Sequence, residues 1–456
     1  MREKRFFVET FGCQMNTADS LEMSRRLVRR GFRPTRLMEK ADVVLVNTCT
    51  VRDHAEHKAL SFLGRLVDWK EEKSGRLIFF AGCAAERLKE TLTKRFPQVD
   101  WVVGAKSLPA FDRLLDDQIK NNLGFPRVEP TIDWSSEDAP TRNDFSEDWG
   151  WFGNNFPSLE DEGPSGFVTV TRGCNFSCAY CIVPAVRGKE IYRPPESVLL
   201  EVTDRAERGQ REIIFLGQTV NGWNWGGPGP VKRFSDLLRA AADVPGIKRL
   251  RFMSPHPFHL SDDLIAVFGD TPSVCPHVHL PVQSGADSVL SRMRRGYTKK
   301  IYLKRLDQLR RARPGLSVTT DWIVGYPGET EQEFEETLIL AREADFDGAY
   351  CFKYSPRAGT ASAAVMDDVP EPVKEERHQR LLTLNEEIGR RKTVALVGTC
   401  QDVMVESPRG GDGVYNTRTA HNRIMHVLSK TPRNAGDFLS VSVSDVKGKT
   451  LHGTAL

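Results

Sequence analysis

The sequence predicts an α/β protein in three parts: an N-terminal parallel-sheet domain, a longer β/α repeat forming part of a barrel, and a small all-β barrel at the C-terminus. Short apolar runs alternate with helix-like segments near the N-terminus and again from Gly166. Such alternation argues for βαβ units and a parallel sheet. After the helix-like run Pro372–Thr393 the pattern turns to short β-like runs separated by Gly-rich turns. At 456 residues the chain is also too long for one ordinary domain. The boundaries read as residues 4–120, a linker over 121–164, a core over 165–391 and a tail over 393–456.

In the first part, strand candidates Arg5–Thr10, Asp42–Val46 and Arg76–Phe80 are followed by Phe-Gly-Cys13, Asn-Thr-Cys49 and Ala-Gly-Cys83. Helix candidates Ala18–Arg30 and His54–Lys70 lie between them. The carboxyl ends of parallel strands share one edge, where ligands bind. Cys13, Cys49 and Cys83 are therefore expected together, either as metal ligands or as three buried structural thiols. Gly12 and Gly82 are expected to let the backbone approach a metal closely.

The core opens with a tighter triplet, Cys174, Cys178 and Cys181, in the run Thr-Arg-Gly-Cys-Asn-Phe-Ser-Cys-Ala-Tyr-Cys. Four cysteines close a cubane iron–sulfur cluster, so three leave one iron open to a small molecule. Zinc sites favour paired Cys-x2–4-Cys and four ligands. The Cys-x3-Cys-x2-Cys loop, with Tyr180 before its last cysteine, resembles that of radical-SAM enzymes. With the Cys13, Cys49 and Cys83 set, the chain resembles the radical-SAM methylthiotransferase family along nearly its whole length. The run Thr10-Phe11-Gly12-Cys13-Gln14-Met15-Asn16 is similar to its MiaB-type, tRNA-modifying branch.

The resemblance implies two [4Fe–4S] clusters, a partial (β/α)6 radical-SAM barrel and a C-terminal TRAM domain that binds RNA. It implies S-adenosylmethionine chelated by the open iron and cleaved to a 5′-deoxyadenosyl radical. The implied substrate is the N6-isopentenyladenosine beside the tRNA anticodon, methylthiolated at C2 of the base. That carbon bears an unactivated C–H bond, so no acid–base pair is nominated and no catalytic residue beyond the cluster ligands. The alternatives are the same chemistry on a ribosomal-protein aspartate or on threonylcarbamoyl-adenosine tRNA, and a non-enzymatic iron–sulfur regulator that binds RNA. The implied partners are the tRNA anticodon loop and a reducing electron donor such as flavodoxin or ferredoxin. The expected state is a monomer.

Core strand candidates are Phe167–Thr171, Glu212–Leu216, Arg249–Met253, His277–Val282, Leu316–Val324 and Ala349–Tyr354. In barrels, chemistry collects at strand carboxyl ends. Amides there both donate and accept hydrogen bonds. By resemblance, Gln218, Asn221 and Gln283 are candidate cofactor contacts and Arg295 a contact to its carboxylate. Cys275, Cys351 and Cys400 match no triplet and read as packing thiols. His256, His277 and His279 lack ligand spacing and read as pocket or strand residues.

A composition of 39% apolar and 27% charged residues is ordinary for a globular protein. No apolar run suits a membrane span, and the N-terminus lacks a signal-peptide core, so a cytoplasmic protein is expected. A net charge of +3 makes any nucleic-acid footprint local. The linker holds Trp134, Trp149 and Trp151 amid Asp, Glu, Pro and Ser. In the tail, strand candidates are Thr399–Glu406, Gly413–Thr417, Ile424–Leu428 and Phe438–Val446. Arg409, Arg418, His421, Asn422 and Arg423 are candidate RNA contacts there. Two Arg/Lys-dense stretches, Arg25–Arg36 and Arg292–Arg313, read as solvated helix faces or RNA contacts, with the solvated face favoured for the first.

Overall fold

The computed structural model describes residues 4–51, 53–108, 111, 115, 131–132, 163–410 and 413–456. The tryptophan-bearing part of the expected linker lies outside the described residues. Two compact units emerge. One takes the N-terminal sheet with Arg172–Asn175 and Ile182–Arg193. The other takes Gly163–Thr171, Phe176–Cys181 and Pro194–Leu456.

The N-terminal sheet has six parallel strands. At its centre, Arg5–Phe11, Val43–Thr48 and Leu77–Gly82 lie side by side. The Val43–Thr48 strand is buried along its whole length, as expected of a parallel strand covered on both faces. Helix Gln14–Arg29 covers one face together with Phe6, Met23, Leu27 and Leu45. Helix Asp53–Glu71 covers the other with Leu63, Leu66 and Phe80. Arg25 and Arg26, placed by the sequence on a solvated face, are buried. Arg26 donates to Glu22 at 3.1 Å and to the Leu108 carbonyl at 3.2 Å. Charge density along a helix does not show that a salt-bridged guanidinium faces inward.

The second unit contains two three-stranded parallel sheets, Ser165–Thr169 with Glu212–Leu216 and Arg249–Phe252, and His277–His279 with Ser317–Val324 and Gly348–Lys353. Leu250 also bridges Val274, just before strand His277–His279, and the six strands follow chain order across the two sheets of a partial barrel. One face is fully buried under helices through Ile213, Phe215, Leu250, Phe252, Val278, Val318 and Trp322. The inner face carries Glu212, Arg251, His279, Asp321, Tyr350 and Phe352.

Five strands close the C-terminal barrel around Val403, Val405, Met425, Val427, Val441 and Leu451. The fifth, Thr450–Ala455, was not expected from sequence and pairs parallel with Ile424–Leu428. This barrel packs with the core in one unit. Arg249 donates to the carbonyls of Arg418 and Asp402 at 2.8 and 2.9 Å. Arg251 donates to those of Thr419 and Ala420, each at 2.9 Å, and to Glu212 at 2.8 Å. Arg423 reaches back to Asp347 at 2.9 Å and Thr393 at 2.7 Å. Arg418 pairs with Glu406 at 2.5 Å. The segment expected to touch RNA therefore spends Arg418 and Arg423 on pairs within the protein. Arg409 is exposed, and hydrogen-bonds His426 at 2.7 Å. In the other basic stretch, Arg292 pairs with Glu333 and Arg305 with Asp262.

Removing one member of a buried ion pair costs roughly 3–5 kcal/mol, because the other charge is left uncompensated. Arg251→Gln removes the charged donor from Glu212 and one donor from each of two barrel carbonyls. Urea unfolding should show a loss of that order, and a chain cut near Arg391 should be destabilised in its core as well.

Candidate iron–sulfur sites

The N-terminal cysteines come together through strand register. Phe11 pairs with Thr48 and Thr48 with Gly82. Cys49 and Cys83 are the next residues and Cys13 lies two past Phe11, so all three sit at one sheet edge. Cys13 is the N-cap of helix Gln14–Arg29, and Cys83 opens helix Cys83–Leu88. Cys13 Sγ donates to Asn16 Oδ1 at 3.2 Å. Interaction with the Cys49 thiol, aided by Arg187 and the N–H groups of Asn16 and Met15, lowers the Cys13 thiol against the opposing effect of burial. Helix N-termini and cations favour a thiolate in this way. The same interaction raises Cys49, and burial adds to it. Burial pushes the Cys83 thiol up, with Arg187 opposing.

Behind the thiols lies a buried amide network. Asn16 donates to Asn47 at 3.2 Å. Asn47 donates to the Asn16 carbonyl at 2.8 Å and to Ser20 at 3.0 Å. Ser20 meets Thr10 at 2.7 Å. Gly12 and Gly82 make room for this network. A Cβ on Gly82 would lie 2.3 Å from Asn47 Oδ1, at a φ of 97°. One on Gly12 would lie 2.7 Å from the Cys49 Cβ and 2.8 Å from Asn16 Oδ1. The crowding at Gly12 comes from side chains, and at Gly82 the Thr48 carbonyl adds to it at 2.6 Å.

Beneath them, Asp19 accepts from Arg172 at 2.6 Å and from Arg187 at 3.0 Å. Arg187 Nε donates to Cys83 Sγ at 3.1 Å.

In the second triplet, the Cys174 N–H donates to the Gly188 carbonyl at 3.1 Å. Cys178 and Cys181 flank Tyr180, which packs against Met293, Tyr326 and Tyr354. Arg295 is buried here. It donates to Cys178 Sγ at 3.5 Å, to the Tyr180 and Tyr297 hydroxyls at 3.2 and 3.0 Å, and to the Pro281 carbonyl at 3.2 Å. It thus faces a thiol and two phenols, with little donor capacity left for a cofactor carboxylate. Asn221 is committed to the His256 backbone, donating to its carbonyl at 3.0 Å and accepting from its N–H at 2.8 Å. This seats His256 against Phe176, with ring centroids 3.9 Å apart. Burial, Arg295 and His259 keep His256 neutral, down at about 2. Gln283 is buried at a φ of 77°, a conformation costly for a non-glycine residue and frequent at functional sites. Its carboxamide makes no hydrogen bond among the described residues. Gln218 is half-buried just past its strand. Of the four nominated contacts, Asn221 and Arg295 are hydrogen-bonded within the loops around the triplet.

Among the described residues, no three Cys, His, Asp or Glu side chains converge as one metal ion would require. A cluster takes its thiolates on separate irons and asks for a looser grouping. The donor chemistry fits it: thiols only, each set with one buried guanidinium at a sulfur. Of the remaining cysteines, Cys275 is buried but Cys400 is exposed, so Cys400 is no packing thiol. The sequence reading missed Asp19, Arg172 and Arg187. It also missed Tyr350 and Phe352, which are 61% and 40% exposed on the inner face. Their rings lie 6.5 Å apart and 20° from parallel, with His279 edge-on to Tyr350. Their alternation along one strand was the available signal.

The pattern of an uncharacterized protein family, UPF0004, matches residues 5–104, and that of the Radical SAM superfamily matches 168–341. A tRNA-2-methylthio-N(6)-dimethylallyladenosine synthase of Myxococcus xanthus is 41% identical over 458 residues, covering 99% of this chain and 94% of that protein. One of Actinobacillus succinogenes is 38% identical over 467 residues, covering 99% and 92%. Among solved structures, the radical S-adenosylmethionine methyltransferase TsrM of Kitasatospora setae matches 80% of this chain and 74% of its own, with a TM-score of 0.57 at 15% identity. That likeness shows the fold.

Anaerobically reconstituted protein should bind about eight irons, four per cubane. Replacing Cys13, Cys49 and Cys83 by Ala should halve the iron, as should replacing Cys174, Cys178 and Cys181. Gly82→Ala should deplete only the N-terminal half. Full iron in both triple variants would refute the ligand assignment.

Proposed function

The chain belongs to the family of tRNA-2-methylthio-N(6)-dimethylallyladenosine synthases, and we propose from its residues how it carries out that family's reaction. The enzyme is a radical-SAM tRNA methylthiotransferase. It transfers a methylthio group to C2 of N(6)-dimethylallyladenosine, using S-adenosylmethionine and [4Fe–4S] clusters. Cys174, Cys178 and Cys181 would hold the cluster that would supply the electron for cleavage of S-adenosylmethionine, and Cys13, Cys49 and Cys83 would hold the one that would serve methylthio delivery. Two thiol-only triplets at strand ends, within relatives aligned end to end, carry this reading. The relatives' shared name favours the dimethylallyl substrate over a ribosomal-protein aspartate or threonylcarbamoyl-adenosine.

The chain's own residues bind and orient. Asn221 fixes the His256 loop, Gln283 offers its carboxamide to S-adenosylmethionine beside Gln218, and Arg295 holds Cys178 and Tyr180 in place. The adenine enters unpaired from the tRNA anticodon loop, where bases splay out and stack on aromatic rings. Tyr350 and Phe352 offer such faces on the inner wall, and Ile323, the strand partner of Phe352, packs against the group that includes Tyr180. The C-terminal barrel is a TRAM domain that contacts tRNA from its exposed side, at Arg409. A flavodoxin or ferredoxin supplies the electrons to a cytoplasmic monomer. No helix among the described residues is long and apolar enough to cross a membrane.

Dimethylallyladenosine tRNA, unmodified transcript, threonylcarbamoyl tRNA and the ribosomal protein should each be incubated with the enzyme. Only the first should gain the methylthio mass, and preferential modification of another would overturn the substrate assignment. Base–aromatic stacking contributes about 1–3 kcal/mol per base. The Tyr350→Ala, Phe352→Ala double variant should therefore lose about tenfold to a hundredfold in kcat/KM on tRNA. Its formation of 5′-deoxyadenosine without tRNA should be unchanged.

A further inference from the structure

We propose that Arg187, positioned by Asp19, hydrogen-bonds the Cys83 sulfur and sets the reduction potential of the N-terminal cluster. The inference rests on the reading that Cys13, Cys49 and Cys83 hold that cluster.

Asp19 is completely buried, and the side chains of Arg187 and Arg172 are 4% and 8% exposed. Two guanidiniums therefore share one carboxylate. Buried charge is costly unless it is paired and hydrogen-bonded. Arg187 aims Nε at Cys83 Sγ, 3.1 Å away, while its other arm holds Asp19. A guanidinium can serve both because its donors are held in a rigid fork. Asp19 lies on the helix capped by Cys13, so its carboxylate ties the guanidinium to the element that positions a second ligand.

Hydrogen bonds to ligand sulfurs and local net charge set iron–sulfur potentials, and partners behind the ligands tune them as well. Reduction adds one negative charge, so a donor and a cation at Cys83 stabilise the reduced form and raise the potential. Arg172 binds the other oxygen of the Asp19 carboxylate, while Arg187 donates to the Cys83 sulfur. Arg187 is a positioning residue, since it acts through Cys83.

The contrast between the two arginines supplies the test. Full-length protein carrying Cys174→Ala, Cys178→Ala and Cys181→Ala retains the N-terminal site alone, and its midpoint can be followed by EPR-monitored redox titration. Arg187→Gln should lower that midpoint by at least tenfold in the reduction equilibrium, about 59 mV for one electron. Arg172→Gln should shift it distinctly less. Should Arg187→Gln fail to fold, Arg187→Lys keeps the charge without the two-armed grip and should shift the midpoint in the same direction. Equal shifts from Arg187→Gln and Arg172→Gln, or a midpoint unmoved by Arg187→Gln or Arg187→Lys, overturns the proposal. Absence of iron from the parent protein would instead refute the cluster assignment on which it rests.

Discussion

Parallel register is the constraint on which the N-terminal site depends. Phe11, Thr48 and Gly82 are successive partners across three strands. A slip of one residue in any strand would turn its side chains to the opposite face and move its cysteine off the common edge. The register is held by alternation between two buried cores, Phe6, Leu45 and Phe79 on one side and Val44, Val46 and Phe80 on the other. It is also checked at the edge itself, where Asn47 bonds across to Asn16 and Ser20. Burying unpaired amides costs about 1–3 kcal/mol each, so a misregistered strand would lose its apolar packing and its polar network together.

The two thiol triplets share an electrostatic design. Each presents one cysteine to a buried guanidinium, Cys83 to Arg187 and Cys178 to Arg295. The supports differ. Arg187 is braced by a carboxylate that carries a second arginine, whereas Arg295 is braced by two phenols and a carbonyl. A guanidinium with a formal counter-ion already near it adds less net positive field at its sulfur than one held by neutral groups. Arg172, bound to the same carboxylate, opposes that reduction.

The cysteines were legible in the sequence because cluster chemistry fixes residue type, and strand ends fix position. Most of the core strands were legible from alternating apolar runs. What surrounds the thiols was not. Asp19 meets Arg172 and Arg187 across more than a hundred residues of chain, and no local period encodes such a pairing. Arg25 and Arg26 looked like a solvated stripe because periodicity reports amphipathicity and is silent about buried ion pairs. Tyr350 and Phe352 looked like an ordinary strand, since alternation shows which side chains share a face but not that the face lines a barrel interior. Thr450–Ala455 was missed because Thr450, His452 and Gly453 dilute its β character. Gly453 is there for space: a Cβ would lie 2.3 Å from the Ser442 carbonyl.

The C-terminal barrel shows how docking limits recognition. Arginines that attract phosphate in an unstructured tail lose that role once their donors are used inside the protein. Arg423 sits between Asp347 and Thr393, and Arg418 is neutralised by Glu406. Their backbone neighbours, the carbonyls of Arg418, Thr419 and Ala420, take donors from Arg249 and Arg251 of the core. The loop therefore behaves as a plug fitted to the core, with charge matched on both sides. Arg409 instead joins a separate group with Asn416, His426 and His452, and under the proposed function this group would meet RNA. Burial and Arg409 disfavour the protonated form of His426, so the positive charge there comes mainly from Arg409. Arg409 lies on an exposed surface, where salt screens phosphate contacts. The barrel is thus anchored by a salt-insensitive buried seam and would engage RNA through a salt-sensitive exposed one.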